Sequence, residues 1–97
     1  MIKTPEEKRV RNFRWTNRLP EGVTIDGATV TITGPDAALT LGINAEAPAV
    51  NLAGDTVSCF LIAGTVNVSY HVTCTVTLTN GEIRTWTIVV AVVPYAR

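Results

Sequence analysis

The chain predicts an all-β fold, a sandwich of six or seven antiparallel strands, and three observations carry the prediction. Residues 66–78 alternate strictly, with Val66, Val68, Tyr70, Val72, Cys74, Val76 and Leu78 on one face and Asn67, Ser69, His71, Thr73, Thr75 and Thr77 on the other. A period of two held that long is a half-buried strand and cannot be a helix. Turn signals recur at Asp26-Gly27, Gly34-Pro35-Asp36, Gly54-Asp55, Gly64-Thr65 and Asn80-Gly81. Strands separated by about ten residues in this way indicate an immunoglobulin-like sandwich, with a small barrel as the less favoured form. Threonine is abundant, and only 16 % of residues are charged, which suits strands better than helices.

Taken in order, Met1–Arg18 is polar and basic, is broken early by Pro5 and has no helical apolar stripe. It reads as an extended N-terminal arm (1–18) preceding the sandwich (19–97), ordered by docking Phe13 and Trp15, which share a face when the chain is extended. Leu19-Pro20-Glu21-Gly22 closes the arm as a turn. Val23–Ile25 is a short edge strand, Asp26-Gly27 a turn, and Ala28–Thr33 a strand with Ala28, Val30 and Ile32 inward. Leu39–Ile43 is a further strand and Val50–Leu52 a weak one. Val57–Ala63 is apolar on both faces, as a central strand would be.

The final hairpin allows its register to be argued. A two-residue loop at Asn80-Gly81 would turn Trp86 onto the threonine face. A three-residue loop, Thr79-Asn80-Gly81 with Gly81 as the bulge residue, sets Cys74 opposite Trp86, Val72 opposite Ile88 and Tyr70 opposite Val90. A one-residue slip inverts every side chain, so the bulged turn is the consistent choice. It places Arg84 opposite Val76, its one awkward pair, and leaves Val89, Ala91 and Val93 as an apolar row on the outer face.

Ninety-seven residues form one domain. No apolar run is long enough to cross a bilayer, and the N-terminus has no apolar export signal, so synthesis and use without Sec export are expected. Cys59 and Cys74 lie in apolar strands and read as buried thiols, with a bond between sheets as the alternative. Charge sums to zero but is uneven. Lys3, Lys8, Arg9, Arg11, Arg14 and Arg18 against Glu6 and Glu7 make the arm basic, and the body is acidic to the same extent.

Catalytic chemistry has no candidate set. His71 projects from a strand among threonines, the carboxylates are scattered one to a turn, and Ser58 and Ser69 have no base beside them. No phosphate-binding loop or metal-ligand spacing occurs, so no cofactor, no metal and no enzyme are expected. A basic arm with interleaved aromatics is compatible with nucleic acid, but the acidic body opposes that. A protein surface, including another copy of the chain, is the better partner. Arg9, Arg11, Phe13, Arg14 and Trp15, with Val89, Ala91 and Val93, are the expected contact residues.

Tyr70 stands early in the penultimate strand, where immunoglobulin-like domains carry a corner tyrosine. Phe13 and Trp15, then Leu19, Gly22 and Ile25, then Gly64, Tyr70-His71-Val72-Thr73, Gly81 and the closing strand to Val93 form a pattern spanning residues 13–93. It resembles small immunoglobulin-like virion proteins of tailed bacteriophages, including fibre–tail adaptors. The resemblance implies a non-catalytic, multi-copy assembly part at a neck, collar or tail, in virions assembled in the host cytoplasm. It also implies other virion proteins as partners, with no small-molecule substrate and no membrane. A capsid-decoration or surface-adhesion module is the alternative; it requires aromatics at loop tips, and Tyr95 is the sole candidate.

Overall fold

The computed structural model describes residues 1–94. Eight strands form two packed sheets: β1 (Ile2–Lys3), β2 (Lys8–Arg14), β3 (Ile25–Thr33), β4 (Leu39–Leu41), β5 (Ala49–Val50), β6 (Thr56–Ala63), β7 (Ser69–Leu78) and β8 (Ile83–Val92). One sheet has the order β1-β8-β7-β3; the other has β2-β6-β4, with β5 also pairing with β6. All pairs are antiparallel except β1 with β8, which is parallel. Thr16–Arg18 and Asn44–Glu46 are single 3-10 turns.

The hairpin is as expected from the alternation. Cys74 pairs with Trp86, Val72 with Ile88, Tyr70 with Val90 and Val76 with Arg84. Leu78 N–H donates to Glu82 O and Gly81 N–H to Leu78 O, closing the three-residue loop, with Gly81 at φ +90°. Tyr70, Val72, Cys74 and Val76 are fully buried, and Leu78 nearly so. Each buried side chain of this size contributes roughly 1.5–3 kcal/mol of transfer free energy, so a one-residue slip would lose the whole row. The inward row begins later than alternation alone implies, because Val66 precedes the strand and is exposed.

Elsewhere the boundaries move. Ile25 and Gly27–Thr33 belong to one strand, and the expected turn at Asp26-Gly27 is a bulge between Ile25 and Gly27. Strand β4 stops at Leu41, leaving Ile43 exposed; β5 is two residues long and Leu52 lies outside it. Strand β6 is central, with β2 on one side and β4 and β5 on the other. Cys59 and Cys74 are buried and unbonded, and burial pushes both thiols up to about 11.

Residues 1–18 contribute strands to both sheets. Strand β2 pairs with β6 over its full length, Lys8 with Ile62 through Arg14 with Thr56. Ile2 and Lys3 pair with Ala91 and Val92. The Lys3 side chain is fully buried, its ammonium donating to Thr4 O at 2.7 Å and Ala63 O at 2.5 Å. Burial, opposed in part by Glu7, lowers its pKa. The segment therefore builds an edge of each sheet.

Candidate partner-binding seam

Strand β2 alternates like any strand, and its partners decide which side chains face inward. Arg9, Arg11 and Phe13 stand opposite Leu61, Cys59 and Val57, all fully buried. Because β2 is an edge strand, this row faces the seam between its own sheet and β8 of the other. Phe13 fills the seam and meets Trp86 edge-on, with ring centroids 5.6 Å apart. Trp15 approaches Trp86 at 5.5 Å and 88°. Three aromatic rings thus close the side of the sandwich in the edge-to-face geometry their quadrupoles favour.

Arginines lie over these rings. The Arg11 guanidinium is 5.2 Å from the Phe13 centroid and 5.7 Å from that of Trp86. Trp15 N–H donates to Asp55 O, ending the extended run, and the 3-10 turn that follows brings Arg18 back to 4.2 Å above Trp86. Arg84, the awkward residue of the predicted register, holds that turn: its Nη1 donates to Arg18 O at 2.6 Å and its Nη2 pairs with Glu82. Arg9 reaches Glu7 and Ile2 O, both at 3.5 Å. The Thr4 backbone N–H, with a smaller contribution from Arg9, holds the Glu7 carboxyl below its usual range. Among the described residues, neither Arg11 nor Arg18 meets a carboxylate. Arg11 Nε and the Trp15 indole N–H are both shielded and without an acceptor.

Alongside this row runs an unpaired strand edge. Ala91 and Val93 donate outward to Met1 O and Lys3 O, and Val89 O accepts from the Met1 ammonium. Backbone groups along a strand alternate in direction, so Thr85 and Thr87 turn theirs the same way. Among the described residues, the pairing with β1 covers Ala91 and Val92, and no strand flanks residues 83–88.

Of the expected contact residues, Phe13 is fully buried and Trp15 is 2 % exposed, and both belong to the core. Arg9 and Arg11 line the seam, whereas Arg14 is exposed on the opposite face of β2, beside Thr56. Val89 is 48 % exposed; Ala91 and Val93 are half-buried, and exposed Ile2 extends their row. Arg18, Trp86 and the free backbone of Thr85 and Thr87 were not anticipated. Arg18 was countable only as one more basic residue, and nothing in the alternation separates an inward tryptophan at a seam from one in the core.

The outer face of the β1-β8-β7-β3 sheet is of a different kind. Thr31, Thr73 and Thr87 align across three strands, as do Thr29, Thr75 and Thr85. The Thr73 and Thr87 hydroxyls are 3.0 Å apart. His71 faces Thr33 and Val89 on this surface and is exposed. Among the described residues no three His, Cys, Asp or Glu side chains come together to hold a metal ion.

A family model described as podophage GP4 fiber-tail adaptor protein gp77 matches residues 3–91. The chain belongs to this family. It is accordingly a structural, non-enzymatic part of the phage tail and of the virion, and the adaptor role entails contacts with fiber and tail proteins. No curated protein matches the chain. The match begins at Lys3, so the basic segment belongs to the adaptor unit, in accord with its place in the sheets.

Proposed function

We propose that this fiber-tail adaptor works as a rigid immunoglobulin-like joint, binding one virion component at the cationic seam and another at the threonine face. The strand order supports the fold assignment. Taking β2, β3, β4, β6, β7 and β8 as strands B, C, D, E, F and G gives sheets B-E-D and G-F-C, the arrangement of that sandwich, with β1 as an added strand on G. Tyr70 supports it too: its hydroxyl accepts from Thr65 N–H at 3.0 Å, five residues back at the corner, and donates to Asp36 at 2.6 Å.

The observation that carries the adaptor reading is the presence of two surfaces with different chemistry on one compact body. The seam offers Arg9, Arg11 and Arg18, whereas Ile2, Val89 and Ala91 continue the outer face from Thr85 and Thr87. The threonine rows carry no charged side chain between Thr29 and Thr87. A charged surface and an uncharged one select different partners, because an unpaired buried charge on the wrong partner is costly. Copies arranged about the tail would each present both surfaces, which is how a homo-oligomeric ring joins many fibers to one tail. The body measures 43 × 24 × 23 Å and acts as a spacer of fixed length.

Complementation of a phage lacking this gene tests the reading. Wild-type protein is expected to restore fibers to the particles, whereas Arg9→Glu/Arg11→Glu and Thr73→Lys/Thr87→Lys are each expected to give folded protein and fiber-deficient particles. Full fiber incorporation with both variants would contradict it. Decoration or adhesion would need exposed aromatics at loop tips; among the described residues the exposed large apolar loop residues are Ile43, Leu52 and Val66, and Tyr95 lies outside the described residues.

A further inference from the structure

We propose that the open edge of β8 over residues 83–88 accepts an extra β-strand, an extended segment of a partner protein with carboxylates at every second position. The identity of that partner as a fiber or tail protein rests on the adaptor reading; the mode of binding does not.

Two independent observations converge on this edge. Among the described residues, the backbone groups of Thr85 and Thr87 point away from β7 and pair with no strand, whereas β1 already fills the adjoining stretch at Ala91 and Val92. Beside the open stretch, Arg11 and Arg18 lie over Trp86 with no carboxylate near either, and Arg9 is held only by long contacts. A strand added at the usual spacing of about 4.8 Å sends alternate side chains to opposite faces. One set extends the threonine face beside Thr85 and Thr87. The other set turns toward the seam and meets the arginines, so carboxylates are required there at alternate positions.

The remaining free edges are poorer acceptors. Strand β2 exposes Lys8, Arg9 and Arg14, β3 is bulged at Asp26, and β4 and β5 have three and two residues. Those are the devices by which edges avoid pairing. A second copy is the wrong occupant, because antiparallel pairing of two β8 edges would bring two arginine rows together with no acid between them.

The test uses the full chain and a fluorescent octapeptide with glutamate alternating with threonine and valine, against a control of equal composition with its glutamates contiguous. Binding of the alternating peptide is expected, with exchange protection appearing at the Thr85 and Thr87 amides. Arg11→Glu and Arg18→Glu should each weaken it about tenfold, the scale of one charge-assisted bond. Thr87→Pro should abolish it without loss of fold, because that N–H makes no bond to β7. Failure of the alternating peptide to bind, equal binding of the control, or undiminished binding by Thr87→Pro would overturn strand addition. Tighter binding of a single-stranded oligonucleotide of the same charge would assign the seam to nucleic acid and overturn it equally. Capture of purified fiber and tail proteins separates the two levels. If wild type and Thr87→Pro capture both, this inference alone fails; if Thr87→Pro loses one partner and keeps the other, it stands. If wild type captures neither, the adaptor reading fails instead.

Discussion

Replacing Phe13 by alanine removes a ring that is fully buried between the sheets and stacked edge-on against Trp86. The residue lies in the segment that the sequence reads as a basic docking arm, so its energetic weight measures how far that segment is part of the core. Truncating a fully buried phenylalanine costs about 3–5 kcal/mol, from lost transfer free energy and the cavity left behind. A domain of this size has about 5–15 kcal/mol of stability in total, so the variant should unfold at a much lower urea concentration. Val10→Ala, on the same strand but 48 % exposed, is the control and should shift stability by no more than about 0.5 kcal/mol. Urea titration followed by tryptophan emission suits the question, because both tryptophans belong to the cluster that Phe13 supports. A Phe13→Ala shift as small as that of Val10→Ala would refute the assignment of the segment to the core.

Tyr70→Phe removes both hydroxyl contacts at the corner and should cost about 1 kcal/mol in thermal or urea unfolding. Asp36 adds a pH signature. The Tyr70 hydroxyl first, then Ala38 N–H and the Thr65 hydroxyl, hold its carboxyl below the usual range. Its stabilising effect is therefore present above the unfolded value of about 4 and is lost as pH falls through the lower folded value. The variant should lose stability less steeply than wild type on acidification; identical slopes would contradict the contact. Cys59 and Cys74, with thiols pushed up to about 11 by burial, should be inert to a disulfide reagent at neutral pH until urea unfolds the chain. Rapid labelling of native protein would show that the core opens. A side-chain carbon added at Gly34 would lie 2.4 Å from Tyr70 Cδ2, so Gly34→Ala should destabilise by about 1–3 kcal/mol, and an unchanged midpoint would contradict that packing.

The hairpin was legible in the sequence because seven alternating positions on one strand had to agree with those on the next, and only one register satisfied both. Arg84, the apparent flaw in that register, lies at the end of the sandwich, where its guanidinium reaches Arg18 O and Glu82. Strand β2 was illegible for a related reason. Its inward row reads Arg9, Arg11, Phe13, and a pattern search expects apolar residues there. At a seam an arginine can lay its guanidinium over aromatic rings and keep its tip near water, as Arg11 does over Phe13 and Trp86, so a strand paired along its full length looks like a solvated tail. Strand β1 has two residues, too few for any periodicity, and its parallel pairing is set by contacts from the far end of the chain. Of the expected contact residues, Arg9, Arg14 and Val89 are exposed and Phe13 and Trp15 are buried, and the open edge of β8 is a property of topology that no local pattern records.

As a fiber-tail adaptor, this small sandwich physically bridges fiber and tail. Sedimentation of purified tails with purified fibers, in the presence and absence of the protein, tests it most directly. Fibers should pellet with tails only when the protein is added, in proportion to the copies bound. Fibers that pellet with tails equally well without it would contradict the account.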